Sequence, residues 1–253
     1  MDQFPGSVRQ PRPSHRLIDR MAASLEVVAR SRNGLTLTEI AQATGSPLST
    51  VQNIANGLVS SGFLEEHSKR YYLGMAPYVL NLMAGRRVVS GVSHEDLEEL
   101  RKVTGLTALL GVGVGDSQYY VDYSSTEAEY AYFSEALVRG PLIQSSAGFI
   151  IMADMEKRDV WTYLHSLPPS DDWRIRRYFD LLPGMIETGV CIAPGVTDEP
   201  ADGVAVAIRE GGRTVASVSL AGPKDVIAER KDELAEFLRK RFVVPTGSIT
   251  SRE

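Results

Sequence analysis

Apolar positions divide the chain into two stretches with different rhythms. In the first, they recur at helical steps. Leu17, Met21, Leu25 and Val28 fall on one helical face and predict a helix over 17–30, ended by Gly34. Thr36 stands three residues before Glu39, the spacing of a capping box, and Leu37, Ile40 and Ala41 follow. Gly45 closes this short second helix in left-handed geometry. Ser46 as N-cap and Pro47 as first helical residue open a third helix over 47–60. Its Val51, Ile54, Ala55 and Leu58 face inward, and Gly62 stops it. Two short strands, Phe63–Glu66 and Arg70–Leu73, follow around His67-Ser68-Lys69. The apolar run from Met75 to about Val89 predicts a helix joining two domains, with a break at 91–93.

The second stretch alternates strands and helices. A charged helix over 95–103 precedes strands over 107–114 and 118–123. Helices are expected near 147–155, 157–166 and 172–188, then strands over 203–209 and 214–220, and a last helix over 223–241. This order predicts an α+β chain: an N-terminal winged helix-turn-helix and a C-terminal α/β domain of sensor type. The domain limits are a flexible basic arm at 1–14, with Arg9 and Arg12, the winged domain at 15–74, and a linker helix at 75–92. The sensor domain covers 93–245 and a tail 246–253.

The solvent face of the third helix carries the functional signal. Ser49, Thr50, Gln52, Asn53 and Asn56 are short and polar, with no carboxylate to repel phosphates. Asn and Gln can bond adenine edges in pairs, and Ser or Thr can reach bases or phosphates. A recognition helix reads DNA with its N-terminal turns, where this cluster lies. Lys69 and Arg70, at the hairpin tip, are placed for the phosphate backbone or minor groove. A polar helix face alone is ordinary. Here it coincides with two capped helices, a glycine turn and a basic hairpin.

Composition narrows the picture further. A net charge of −5 excludes a protein coated in nucleic acid but not a local reading surface. Cys191 is the one cysteine, so no internal disulfide is possible, and it is expected to be a plain buried residue. No apolar run approaches the roughly 20 residues that span a bilayer. The N-terminus has no signal-peptide core, so a cytoplasmic protein without a membrane partner is expected.

The stretch from Asp19 to Leu73 resembles the DNA-binding domain of the IclR family. The resemblance rests on Leu35-Thr36-Leu37-Thr38-Glu39-Ile40-Ala41, Gly45 to Val51, Leu58 to Leu64 and Tyr72-Leu73-Gly74. It continues more weakly to about Arg241. It implies a regulator whose C-terminal, GAF-like domain binds a small organic acid. It also implies a homodimer or tetramer set on a pseudo-palindromic site in double-stranded DNA. The implied effector contacts are Ser145, Ser146, Ala147, Gly148, Val206, Ser219 and Ala221. Small residues at 145–148, opening a helix, would let a carboxylate approach backbone N–H groups.

Departures from the family's pattern shape the expected ligand. Val206 stands where the family has cysteine, Ala221 where it often has serine, and Val196 at an acidic position. Phe149 replaces a lysine and Ile143 a histidine. The pocket loses polar anchors, so a hydrophobic or aromatic acid is expected, with Tyr119, Tyr130, Tyr132 and Phe133 as candidate lining. The same losses keep open a ligand-independent DNA-binding protein. A third alternative is an enzyme using the winged helix to oligomerise.

No catalytic or cofactor chemistry is apparent. Gly111, Gly113 and Gly115 form G-x-G-x-G, which lacks the dinucleotide spacing and reads as strand and turn. His15, His67, His94 and His165 are scattered without zinc spacing, and no G-x-S-x-G elbow exists. The expectation is a non-enzyme with no metal and no cofactor.

Overall fold

The computed structural model describes residues 15–84, 89, 91–125 and 139–243. These form two compact units, 15–84 and 89–243. Arg9 and Arg12 of the expected arm, part of the linker stretch, Tyr130, Tyr132, Phe133 and the 246–253 tail lie outside the described residues.

The first unit contains α1 (Arg16–Ala29), α2 (Leu37–Thr44), α3 (Leu48–Ser60), β1 (Leu64–His67), β2 (Arg70–Leu73) and α4 (Ala76–Met83). Its core gathers Val28, Ile40, Val51, Ile54, Ala55, Leu58, Leu64 and Tyr71, the inward stripes read from helical spacing plus the wing. At the start of α2, Glu39 N–H donates to Thr36 Oγ1 at 3.3 Å, and Thr36 N–H donates to the Glu39 carboxylate at 2.7 Å. Such a cap is worth about 1 kcal/mol. The chain leaves α2 through Gly45 at φ +59°. Pro47, not Ser46, is the N-cap of α3; the Ser46 hydroxyl donates to Thr44 O. The helix therefore begins one residue later than the sequence predicts, at Leu48. Strands β1 and β2 pair antiparallel, and Leu35 adds a rung beside Tyr71.

Helix α4 buries none of its residues within its unit. Tyr78, Val79, Leu80, Leu82 and Met83 are all exposed. An apolar helix with no buried face is unusual on a lone soluble domain.

The second unit runs through α5 (His94–Thr104), β3 (Thr107–Val114), β4 (Ser117–Ser124), β5 (Arg139–Pro141) and a 3₁₀ turn at Leu142–Gln144. Then come α6 (Ser146–Met152), α7 (Lys157–Ser166), a second 3₁₀ turn at Pro169–Asp171 and α8 (Asp172–Thr188). Strands β6 (Val190–Ile192), β7 (Ala201–Glu210) and β8 (Arg213–Pro223) lead to α9 (Lys224–Phe242). One six-stranded sheet runs in the order β5-β4-β3-β8-β7-β6, antiparallel at every pairing.

Period-two alternation divides the apolar residues between two faces. Ala108, Leu110, Val204, Val206, Val218 and Leu220 pack on Leu97 and Leu100 of α5 and on Ile227, Leu234 and Leu238 of α9. Leu109, Tyr120, Ala205 and Ala207 share the opposite core with α6, α7 and α8. The result is helix–sheet–helix in three layers.

All seven residues of α6 are buried, and all but Ser146 lack a polar side chain. Small residues on the sheet beneath it permit the approach. A Cβ on Gly113 would come within 2.8 Å of Ile151 on α6. The G-x-G-x-G run thus serves packing at Gly113 and a turn at Gly115, where φ is +62°. Strands β5 and β6, three residues each, are too short for the period that reveals a strand in sequence.

Candidate functional site

Two places carry chemistry, one in each unit. The first is α3. Its buried residues are Val51, Ile54, Ala55 and Leu58. Ser49, Gln52, Asn53 and Asn56 are exposed, and Thr50 is half-buried. Positions 49, 52, 53 and 56 follow the i, i+3, i+4, i+7 rule and share one face. That face offers amide and hydroxyl groups to solvent and no charge.

The wing turns on Ser68 and Lys69, both with positive φ, at +51° and +62°. This mirror-image turn matches the twist of a two-stranded ribbon. It leaves Lys69 exposed at the apex. Arg70 differs from expectation. Its guanidinium turns back on the domain, donating to Asn33 O at 2.9 Å, Gly34 O at 3.1 Å and the Glu39 carboxylate at 3.3 Å. Arg70 thereby fastens the wing to the α1–α2 turn, and its charge already faces a carboxylate. Lys69 is the tip cation that remains.

The second place is a cavity of ≈ 200 Å³ in the sensor unit. Strand β4 supplies Gln118 and Tyr120, the 139–147 segment supplies Arg139, Gln144, Ser145, Ser146 and Ala147, and β3 adds Leu109. Thr197, Glu199 and Asp202 come from the β6–β7 connection and the start of β7, Ser219 and Ala221 from β8. Five of the seven sequence-expected contacts, Ser145, Ser146, Ala147, Ser219 and Ala221, line it.

Gly148 and Val206 do not. Val206 sits on the other face of the sheet, fully buried against the α5 and α9 layer. Gly203 lines the cavity, so alternation carries Ala205, not Val206, onto that face; Ala205 pairs with Ser219. Counting by twos from Gly203 gives the same result from sequence. Gly148 acts through its lack of a side chain, because the Leu142 backbone occupies the space a Cβ would need. Tyr119 is likewise displaced by its neighbour, for Gln118 and Tyr120 are the cavity-lining residues of β4.

The serine hydroxyls at the head of α6 are engaged internally. Ser145 Oγ accepts from Gly148 N–H at 2.8 Å, capping the helix. Ser146 Oγ donates to Gly203 O at 2.7 Å and accepts from Ala193 N–H at 3.3 Å, tying α6 to the sheet. The preceding turn is fixed by Ile143 N–H donating to Tyr163 Oη at 3.0 Å. Burial pushes the Tyr163 phenol up to about 12, so it stays a neutral anchor.

Asp202 and Gln118 were not legible as site residues, because neither belongs to a motif. Asp202 is buried and accepts from Gly195 N–H at 2.5 Å and Gly203 N–H at 3.1 Å. Burial raises its pKa, against the lowering effect of those donors and of Lys224. Arg139 reaches Ser117 Oγ at 2.8 Å and Asp116 at 3.2 Å. The cavity wall near Thr197 is held by Arg174, whose Nε donates to Val196 O at 2.6 Å and whose other nitrogens reach Asp171 and Asp198. Cys191 is fully buried, and burial lifts its thiol to about 12, far from reactive. Among the described residues no group of three metal-ligating side chains occurs, and no helix is long and apolar enough to cross a membrane.

Residues 17–68 match the IclR helix-turn-helix domain. The HTH-type transcriptional regulator BhcR of Paracoccus denitrificans is 28% identical over 169 residues, covering 66% of this chain. The match spans 58% of that relative's length. Two solved structures share the fold. An IclR transcriptional regulator of Silicibacter sp. TM1040 superposes with TM-score 0.68 at 21% identity, covering 90% of this chain and 93% of that one. An IclR homolog of Microbacterium hydrocarbonoxydans, complexed with 4-hydroxybenzoate, superposes with TM-score 0.62 at 22% identity, covering 89% and 96%.

Proposed function

We propose that the chain is a regulator of the IclR type, a non-catalytic, ligand-responsive DNA-binding protein; the match of residues 17–68 to the IclR helix-turn-helix domain supports this. Its winged unit reads a duplex through α3, and its sensor unit holds a small organic acid. The observation that carries the first half is the uncharged row Ser49, Gln52, Asn53 and Asn56, open to solvent on a helix whose opposite side is core. A short helix reads few base pairs, so two copies on a pseudo-palindromic site supply the specificity. The exposed apolar residues of α4 support a second copy of the chain as the cover for that helix.

The test begins by selecting preferred duplexes from a random pool. Gln52→Ala and Asn53→Ala should each lose about 1–3 kcal/mol of discrimination between selected and scrambled sites. Lys69→Ala should weaken both sites alike and reduce the slope of log K against log salt by about 1. Equal binding of all duplexes by the unaltered protein would overturn the reading.

For the effector we propose an aromatic acid. The cavity walls offer Leu109, Tyr120, Pro141, Ala147 and Ala221 to a ring. The Microbacterium homolog's complex with 4-hydroxybenzoate supports the same class. Binding would alter DNA affinity only if the two placements of the reading heads differ in ligand affinity.

A further inference from the structure

We infer that Gln118 selects for a hydroxyl group on the effector; this rests on the proposal that the cavity is the effector site. Gln118 is 3% exposed and lines the cavity. Its Nε2 donates to Tyr120 Oη at 3.2 Å, which fixes the amide at one end. Its Oε1 is buried and has no hydrogen-bond partner. A buried amide oxygen without a protein donor carries a desolvation cost, and such groups are rare unless a ligand or an ordered water completes them.

The other polar groups around the cavity show why this one matters. Ser145 and Ser146 are committed to capping and to the sheet. Asp202 accepts from two backbone N–H groups. Ser217 Oγ and Thr214 Oγ1 are also buried without partners, but neither residue lines the cavity. Among the described residues, Gln118 is thus the one cavity-lining residue whose side chain carries a buried acceptor without a partner. An acceptor calls for a donor. On an aromatic acid the carboxylate supplies none, and a ring hydroxyl does. A ring hydroxyl that reaches this acceptor gains a hydrogen bond that the analogue lacking the hydroxyl forgoes.

The test measures binding of benzoate and the three monohydroxybenzoates to the full chain by calorimetry. The unaltered protein should bind at least one hydroxylated isomer about tenfold or more tighter than benzoate. Gln118→Met keeps the side chain's length without the acceptor and should erase that preference while still binding benzoate. Gln118→Glu retains acceptor oxygens and should keep it, which guards against a variant that merely folds poorly. Equal affinity for benzoate and every isomer would overturn the inference and leave the cavity as the effector site. So would a preference that survives Gln118→Met. Binding of none of the four compounds overturns the inference together with the aromatic-acid reading.

Discussion

A Gly148→Ala protein is expected to lose about 3 kcal/mol of stability in its sensor unit, a large penalty for one methyl group. An added Cβ would lie 2.0 Å from Leu142 O and 2.6 Å from Leu142 C and Cα. These are backbone atoms and cannot rotate aside. Moving Leu142 means moving the 142–144 turn, which Tyr163 anchors through Ile143 N–H. Gln144, Ser145 and Ser146 would shift with it, so the cavity should lose its ligand as well. Urea unfolding followed by tryptophan fluorescence measures the effect cleanly. The chain has two tryptophans, Trp161 and Trp173, and both belong to this unit. A midpoint unchanged from the parent protein would refute the packing argument.

Arg174→Leu should cost a comparable amount, about 3–5 kcal/mol, by a different route. Arg174 is 4% exposed and Asp171 5%. Losing the guanidinium strands the Asp171 carboxylate away from water and frees Val196 O and Asp198 from the same donor. The double change Arg174→Leu with Asp171→Leu should recover most of the loss, since an apolar pair of similar volume leaves no charge behind. If the double variant is as unstable as the single, the penalty comes from shape and not from the orphaned carboxylate. Affinity for the effector should also fall in the single variant, because the 196–199 wall is tied down through Arg174.

The fold was legible in sequence wherever periodicity ran long. The stripe from Leu17 to Val28, the capped second helix and the strand over 107–114 all announce themselves by spacing, glycine stops or cap residues. Three-residue edge strands and the 3₁₀ turns leave no such trace. The polar row of α3 could be read because burial of Val51, Ile54, Ala55 and Leu58 dictates what faces out. The cavity was only half legible. Small residues at 145–147 and the outer positions of β8 could be placed, but a family pattern put Val206 on the wrong face where alternation would have moved it. Arg70 shows the other limit. Sequence places it beside Lys69 on the hairpin, yet three acceptors from the α1–α2 region, distant in the chain, claim its guanidinium. Gln118 stood out only once its oxygen was seen to lack a partner, which no spacing rule reveals.

Each unit has a core of its own, and this bears on how the protein melts. Two cores need not dissolve together, so one calorimetric midpoint is a poor description of the whole chain. Stabilisation by mass action reaches the unit that holds the ligand and passes to the other only through coupling between them. A heating curve with effector present, read by probes belonging to each unit, therefore measures directly how far news of the ligand travels.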